Sequence, residues 1–236
     1  MQRAREWLRE ARCVAALTGA GISAESGVPT FRGAGGLWRQ FRPEDLATPE
    51  AFARDPRLVW EWYDWRRGLI AATEPNAGHL ALAELERRCG RFTLVTQNVD
   101  GLHDRAGSRE VLKVHGDIWE VRCTGCGRAG RDDRVPLPDL PPRCDCGALL
   151  RPGVVWFGEM LPQEVWRRAE CAAREAEVFL VIGTAAVVYP AAGLVDRAKA
   201  AGAKVIEINL DATPYSEEVD CSLRGRAGEL LPQLIA

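Results

Sequence analysis

Val14-Ala15-Ala16-Leu17-Thr18-Gly19-Ala20-Gly21-Ile22-Ser23 is the stretch from which the fold follows. Val14 to Leu17 is a short apolar run closed sharply by Thr18-Gly19, the pattern of a strand buried in a parallel sheet. Glycines stand at 19, 21 and 27. After a strand, glycines permit a tight turn and close approach of backbone N–H groups to a diphosphate, and the N-terminus of a following helix adds partial positive charge. The spacing is not the ordinary G-x-G-x-x-G, because Ala24 occupies the third glycine position. The stretch therefore predicts an α/β sheet with a nucleotide-type loop, and by itself identifies no cofactor.

Downstream, the same strand and helix alternation recurs. Residues 92–96, 111–114, 178–182, 204–208 and about 219–223 read as strands; 57–72, 77–88, 163–175, 191–201 and the stretch from about 227 read as helices, with Asn76 capping the second. The pattern predicts a Rossmann-like, doubly wound parallel sheet. Segments 1–32, 77–116 and 152–236 are expected to assemble it. Residues 33–76, a helical module, and 117–151, a cysteine-rich module, are expected to be insertions forming a smaller lobe.

Composition narrows the function classes. The chain has 236 residues and a formal net charge of −2, which gives no basic surface for nucleic acid. No run approaches the roughly 18 apolar residues of a membrane span, and no apolar signal segment follows Met1-Gln2-Arg3. The expected location is cytoplasmic, with no membrane or nucleic-acid partner; the oligomeric state is left open, a monomer included.

Eight cysteines without a secretory signal favour metal binding over disulfides. Cys123-x2-Cys126 and Cys144-x-Cys146 approach the two-knuckle spacing of a structural zinc ribbon, although the second pair has one residue fewer than usual. Four thiolates leave a metal no open position, so the expected Zn2+ is structural. Of three histidines, His79 reads as packing or capping and His103 as a possible lining residue. His115, ending a strand before Gly116, is the candidate general base because an imidazole titrates near working pH.

Residues 19–32 match G-A-G-x-S-x-x-x-G-x-P-x-F-R throughout, and with Gln97-Asn98-Val99-Asp100, His115-Gly116 and Phe157-Gly158-Glu159 the chain resembles the sirtuins. Those are NAD-dependent protein-lysine deacylases, and the resemblance covers nearly the whole chain. It implies His115 as catalytic base, with Asn98 orienting ribose and water and Asp100 the nicotinamide carboxamide. Ser23, Phe31 and Arg32 would surround the nicotinamide ribose. Gln97, Gly183, Thr184, Ala185, Asn209, Asp211 and Ala227 would hold the rest of the cofactor, and Gly19, Ala20, Gly21, Glu25 and Trp38 complete that set. Ala185 replaces a usual serine, so one hydroxyl contact is expected to be missing. Val154, Val155, Phe157, Gly158 and Glu159 would clamp the acyl-lysine substrate, their extended backbone accepting the peptide as an added strand. In the implied reaction lysine's acyl group passes to the ADP-ribose of NAD as nicotinamide leaves.

Two other readings share these motifs: an NAD-dependent protein ADP-ribosyltransferase, and a noncatalytic zinc-ribbon module that senses NAD. On the 57–72 helix, Tyr63 and Arg66 share a face. With Ala47 they resemble the pair by which class III sirtuins select succinyl, malonyl and glutaryl lysine. An arginine fork suits an acyl carboxylate.

Overall fold

The computed structural model describes residues 1–31, 36–37 and 40–236. Its centre follows from the period of two along strands whose residues are apolar on both faces. In β1 (Cys13–Thr18), Val14 and Ala16 join one core and Ala15 and Leu17 the other. β7 (Val178–Ile182) splits the same way, Leu180 and Ile182 to one side, Phe179 and Val181 to the other. These two strands pair in parallel. Outside them lie β2 (Arg91–Thr96) and β3 (Val111–Lys113) on one flank, and β8 (Lys204–Asn209) and β9 (Cys221–Arg224) on the other. The order is β3-β2-β1-β7-β8-β9, every neighbouring pair parallel. The chain winds outward both ways from β1 and β7, so their carboxyl ends form the crevice where such sheets take ligands.

Helices cover both faces, as the sequence predicts. α1 (Gln2–Glu10), α6 (Ala77–Arg88) and α10 (Ala227–Ile235) pack on one. α8 (Gln163–Glu175) and α9 (Gly193–Ala200) pack on the other. Asn76 caps α6: its Oδ1 accepts from Gly78 N at 2.9 Å. α2 (Ala20–Ala24) is only a single turn after Gly19. None of the helices among the described residues is long and apolar enough to cross a membrane.

A second core lies beyond this sheet. α3 (Pro43–Leu46), α4 (Pro49–Arg54) and α5 (Pro56–Ala71) pack on an antiparallel sheet of β5 (Ala129–Arg131), β4 (Gly116–Cys123) and β6 (Leu150–Val154). Trp60, Trp62, Ile118, Trp119 and Trp156 fill the space between. Polar ties join the two insertions. Trp60 Nε1 donates to Leu150 O at 2.7 Å and Leu137 N to Asp64 Oδ1 at 2.9 Å. Arg67, fully buried, donates to Asp132 O. β4 starts at Gly116 and β6 runs to Val154, so this sheet reaches slightly past the 117–151 limits read from the sequence. Between the sheets the short α7 (Leu102–Arg105) follows the 97–101 loop.

Candidate active site

The crevice at the strand ends and the seam between the two cores form one cavity of about 740 Å3. One wall comes from the segments that follow five strands. Gly19, Ala20, Gly21 and Phe31 follow β1; Gln97, Asn98 and His115 end β2 and β3; Gly183, Thr184 and Ala185 end β7; Asn209 and Asp211 end β8. The far wall is Ala47, Tyr63, Arg66 and the 154–159 segment. Glu25 and Ala227 line an adjoining cleft of about 360 Å3 that shares Gly21, Gly183 and Asn209. Arg32 and Trp38 lie outside the described residues.

The glycines are needed first by the protein itself. A Cβ on Gly19 would lie 2.8 Å from Gly183 O, one on Gly21 2.7 Å from Gly183 Cα, and one on Gly183 2.4 Å from Ile22 N. Gly21 N–H is donated to Gly183 O at 2.7 Å. The turns after β1 and β7 press on one another, and that contact shapes the cavity floor.

Ser23 and Asp100, expected to meet the cofactor, line neither cavity. Ser23 Oγ donates to Asp100 Oδ2 at 2.8 Å and accepts from Asn98 Nδ2 at 3.1 Å. Asp100 Oδ1 accepts from Leu102 N at 2.9 Å. Both side chains are buried behind Asn98, Ser23 one hydrogen bond away and Asp100 two. Asn98 Nδ2 also donates to Gly19 O at 3.1 Å, which leaves its amide oxygen as the acceptor available to a ligand.

His115 Nδ1 is 3.1 Å from Gln97 O. A carbonyl only accepts, so Nδ1 carries the proton and Nε2 the lone pair. Burial holds the imidazole pKa below its ordinary value, opposed by that bond. His79 is structural, as read: its Nδ1 accepts from Asn76 N in a capping box, its Nε2 faces Ser23 Oγ at 3.4 Å, and burial lowers its pKa to about 4. His103 does not line the cavity, which corrects its reading. It is 1% exposed, with Nε2 at 2.9 Å from Thr18 Oγ1 under the sheet.

Arg66 is 6% exposed. Its guanidinium lies 4.8 Å from the Phe31 ring centroid, 4.9 Å from that of Trp62 and 6.0 Å from that of Tyr63. Among the described residues it makes no ion pair. Burial lowers its pKa, opposed by the nearby Tyr63 and Asp100. Tyr63 Oη accepts from Trp156 Nε1 at 3.0 Å, and burial pushes the phenol up to about 12, so it stays a protonated donor.

The 154–159 segment departs from expectation. The N–H groups of Val155, Phe157 and Glu159 go to His115 O, Ala47 O and Trp156 O, and that of Trp156 to Glu159 Oε2. Residues 157–158 turn, with Gly158 at φ +87°. These four donors are engaged within the chain, so a peptide strand added here would rely on the carbonyl groups of the segment.

The cysteines stand apart from the cavity. Their four Sγ atoms, from Cys123, Cys126, Cys144 and Cys146, lie within 4.8 Å of one another. Cys123 to Cys146 is 3.4 Å and Cys126 to Cys144 3.8 Å. A tetrahedron with Zn–S bonds of about 2.3 Å has edges of about 3.8 Å, so the thiols fit zinc despite the shortened second pair.

Two residues were missed by sequence reading. Trp156 reads as part of an apolar run, yet its indole reaches the pocket hydroxyl. Glu207, 1% exposed on β8, accepts from Ser216 Oγ at 2.7 Å, Ser222 Oγ at 2.6 Å and Thr213 Oγ1, and faces Arg224 at 3.3 Å, holding the loop after Asp211. A lone acid between Ile206 and Ile208 was the available signal.

Comparison with known proteins agrees over the full length. The Sir2 family profile matches residues 19–190. The NAD-dependent protein deacylase of Aquifex aeolicus is 57% identical, the match covering 91% of this chain and 90% of that protein. NAD-dependent protein deacylase 2 of Pyrobaculum aerophilum is 56% identical, over 97% and 92%. The solved structure of a Sir2 homologue in complex with NAD superposes with a TM-score of 0.94 at 51% identity, covering 100% of this chain and 92% of that one. Fold, cavity and relatives agree, and the chain belongs to the Sir2 family.

Proposed function

We infer that this protein is an NAD-dependent protein-lysine deacylase whose acyl pocket favours succinyl and malonyl groups over acetyl. The deacylase activity is supported by the family and by relatives bearing that name. The acyl preference rests on one observation: Arg66 is a buried guanidinium facing the cavity with no carboxylate at ion-pair distance among the described residues, Asp100 acting on it only from farther off. A buried unpaired charge is unfavourable, and a ligand carboxylate would neutralise it. Tyr63 offers a second donor three residues away.

When bound, NAD supplies an electrophilic ribose carbon and takes up the acyl group. The protein's residues position and deprotonate. The turns at Gly19–Gly21 and Gly183–Ala185, with Asn209 and Asp211, form the cofactor side of the cavity. Asn98, anchored by Gly19 and Ser23, presents its amide oxygen to a ribose hydroxyl or water. His115 Nε2 takes the proton of a ribose hydroxyl, and the Gln97 carbonyl keeps it in the required tautomer. Phe31, packed against Arg66, shields the reacting centre from solvent. The four-cysteine zinc site closes the small lobe and contributes no catalytic step.

Charge-assisted hydrogen bonds contribute about 1.5 to 3 kcal/mol each. Arg66→Met is therefore expected to lower kcat/KM on a succinyl-lysine peptide at least about tenfold and to keep or improve it on the acetyl-lysine peptide. Equal loss on both, or an unmutated enzyme that prefers acetyl-lysine, refutes the preference while leaving the deacylase reading in place.

A further inference from the structure

Trp156 joins the acyl pocket to the end of the small sheet and is 3% exposed. An indole nitrogen can only donate, so in the 3.0 Å contact between Trp156 Nε1 and Tyr63 Oη the phenol is the acceptor. Its own proton is then left for a different partner, and among the described residues nothing takes it. Burial keeps the phenol protonated at any working pH, so Tyr63 is a donor without an acceptor on the wall of the cavity.

The indole cannot swing away. The Arg151 guanidinium is stacked over it, 3.6 Å from the ring centroid, and Phe52 packs at 5.3 Å. Arg151 is in turn gripped by both oxygens of Glu159, at 2.5 and 2.9 Å, and donates to Val154 O at 3.0 Å. Glu159 Oε2 also accepts from Trp156 N at 2.8 Å, which fixes the backbone that carries the ring. Glu159, expected to hold substrate, thus has its carboxylate engaged within the chain.

We propose that Trp156, clamped by Arg151 and Glu159, is a positioning residue for acyl selection: it occupies the acceptor side of the Tyr63 hydroxyl, so that the hydroxyl proton points into the pocket beside Arg66 toward an acyl carboxylate. This rests on the acidic-acyl reading above. An acetyl group ends in a methyl and offers no acceptor there, so the direction of the Tyr63 proton matters only for acidic chains. Without the indole N–H, the hydroxyl could turn and satisfy itself elsewhere.

The test uses the full-length, zinc-loaded protein with saturating NAD and one peptide carrying either succinyl- or acetyl-lysine. kcat and KM are measured for the unmutated protein, Trp156→Phe, Tyr63→Phe and the double variant. Trp156→Phe is expected to lower the succinyl-to-acetyl ratio of kcat/KM by about five- to twentyfold, through KM for the succinyl peptide, a part of what one hydrogen bond to a charged group contributes because the Tyr63 hydroxyl remains. Added to Tyr63→Phe it should lower that ratio no further, because the indole acts through the hydroxyl. A ratio within twofold of the unmutated value, or full additivity in the double variant, overturns the positioning role and leaves the acidic-acyl reading standing. Preference of the unmutated protein for acetyl-lysine overturns both. If Trp156→Phe fails to fold, Arg151→Lys, which loses the two-pronged grip on Glu159, must lower the ratio at least about threefold or the proposal is refuted.

Discussion

His115 illustrates how far one side chain can be argued. Its pKa lies below the ordinary value of about 6.5 because burial disfavours the charged ring. In the proposed role the imidazole is therefore neutral and able to accept a proton at neutral pH, and is disabled only when protonated. The acid limb of kcat/KM against pH should bend below about 6.5; a bend well above that would show that burial does not control this group. His115→Asn should cost about 100-fold or more in turnover while leaving zinc content and unfolding temperature nearly unchanged. The same burial acts on His79 and His103, whose pKa values are also lowered. For all three, the folded value lies under the unfolded one. The stability they contribute is present above about pH 6.5 and is lost as pH falls through each lowered value, for His79 toward 4.

Among the elements, the turns after β1 and β7 tolerate least. Gly183→Ala forces a side chain onto a residue at φ +57° with its Cβ 2.4 Å from Ile22 N, and should destabilise by more than about 2 kcal/mol in chemical denaturation. Gly68, inside α5, is the opposite case. Among the described residues nothing lies within 4 Å of its Cβ position, so Gly68→Ala should stabilise by about 0.5 to 1 kcal/mol. A Gly183 variant as stable as the parent would mean that the two turns are free to part. Elements like β1, β7 and α8 were legible because their patterns are local: a continuous apolar run buried on both faces, or a 3.6-residue stripe. β4 was not, since Gly116 to Cys123 gains its strand character from β6, with which it pairs across an irregular register. The pocket shows the same divide. Motif residues such as Asn98 and His115 could be placed from the sequence, whereas the bond from Trp156 to Tyr63 and the Ser23 to Asp100 pair arise only where distant segments meet.

At the scale of the molecule, the zinc module and the proposed acyl pocket share a helix. Arg67 of α5 is fully buried against Asp132 and Trp119 of the cysteine-bearing insertion, and Arg66 beside it faces the cavity. Removing the metal with a chelator, or substituting Cys144→Ser, should abolish bound zinc, lower the unfolding temperature and abolish turnover. Unchanged zinc content in Cys144→Ser would refute the ligand assignment. The parallel sheet has its own cores on either face, so partial loss confined to the smaller lobe is the expected first step.

His115 lies where the chain leaves one sheet for the other. β3 ends at Lys113 and β4 begins at Gly116. Its ring is bonded to Gln97 beyond β2, and its carbonyl accepts from Val155 beyond β6. The proposed base is thus fastened at both ends, by side chain to the larger body and by backbone to the smaller. On the proposed role of His115, a molecule whose two bodies were not seated against each other would lose one of these two fastenings and leave the proton acceptor unaligned: the seam would act as an interlock.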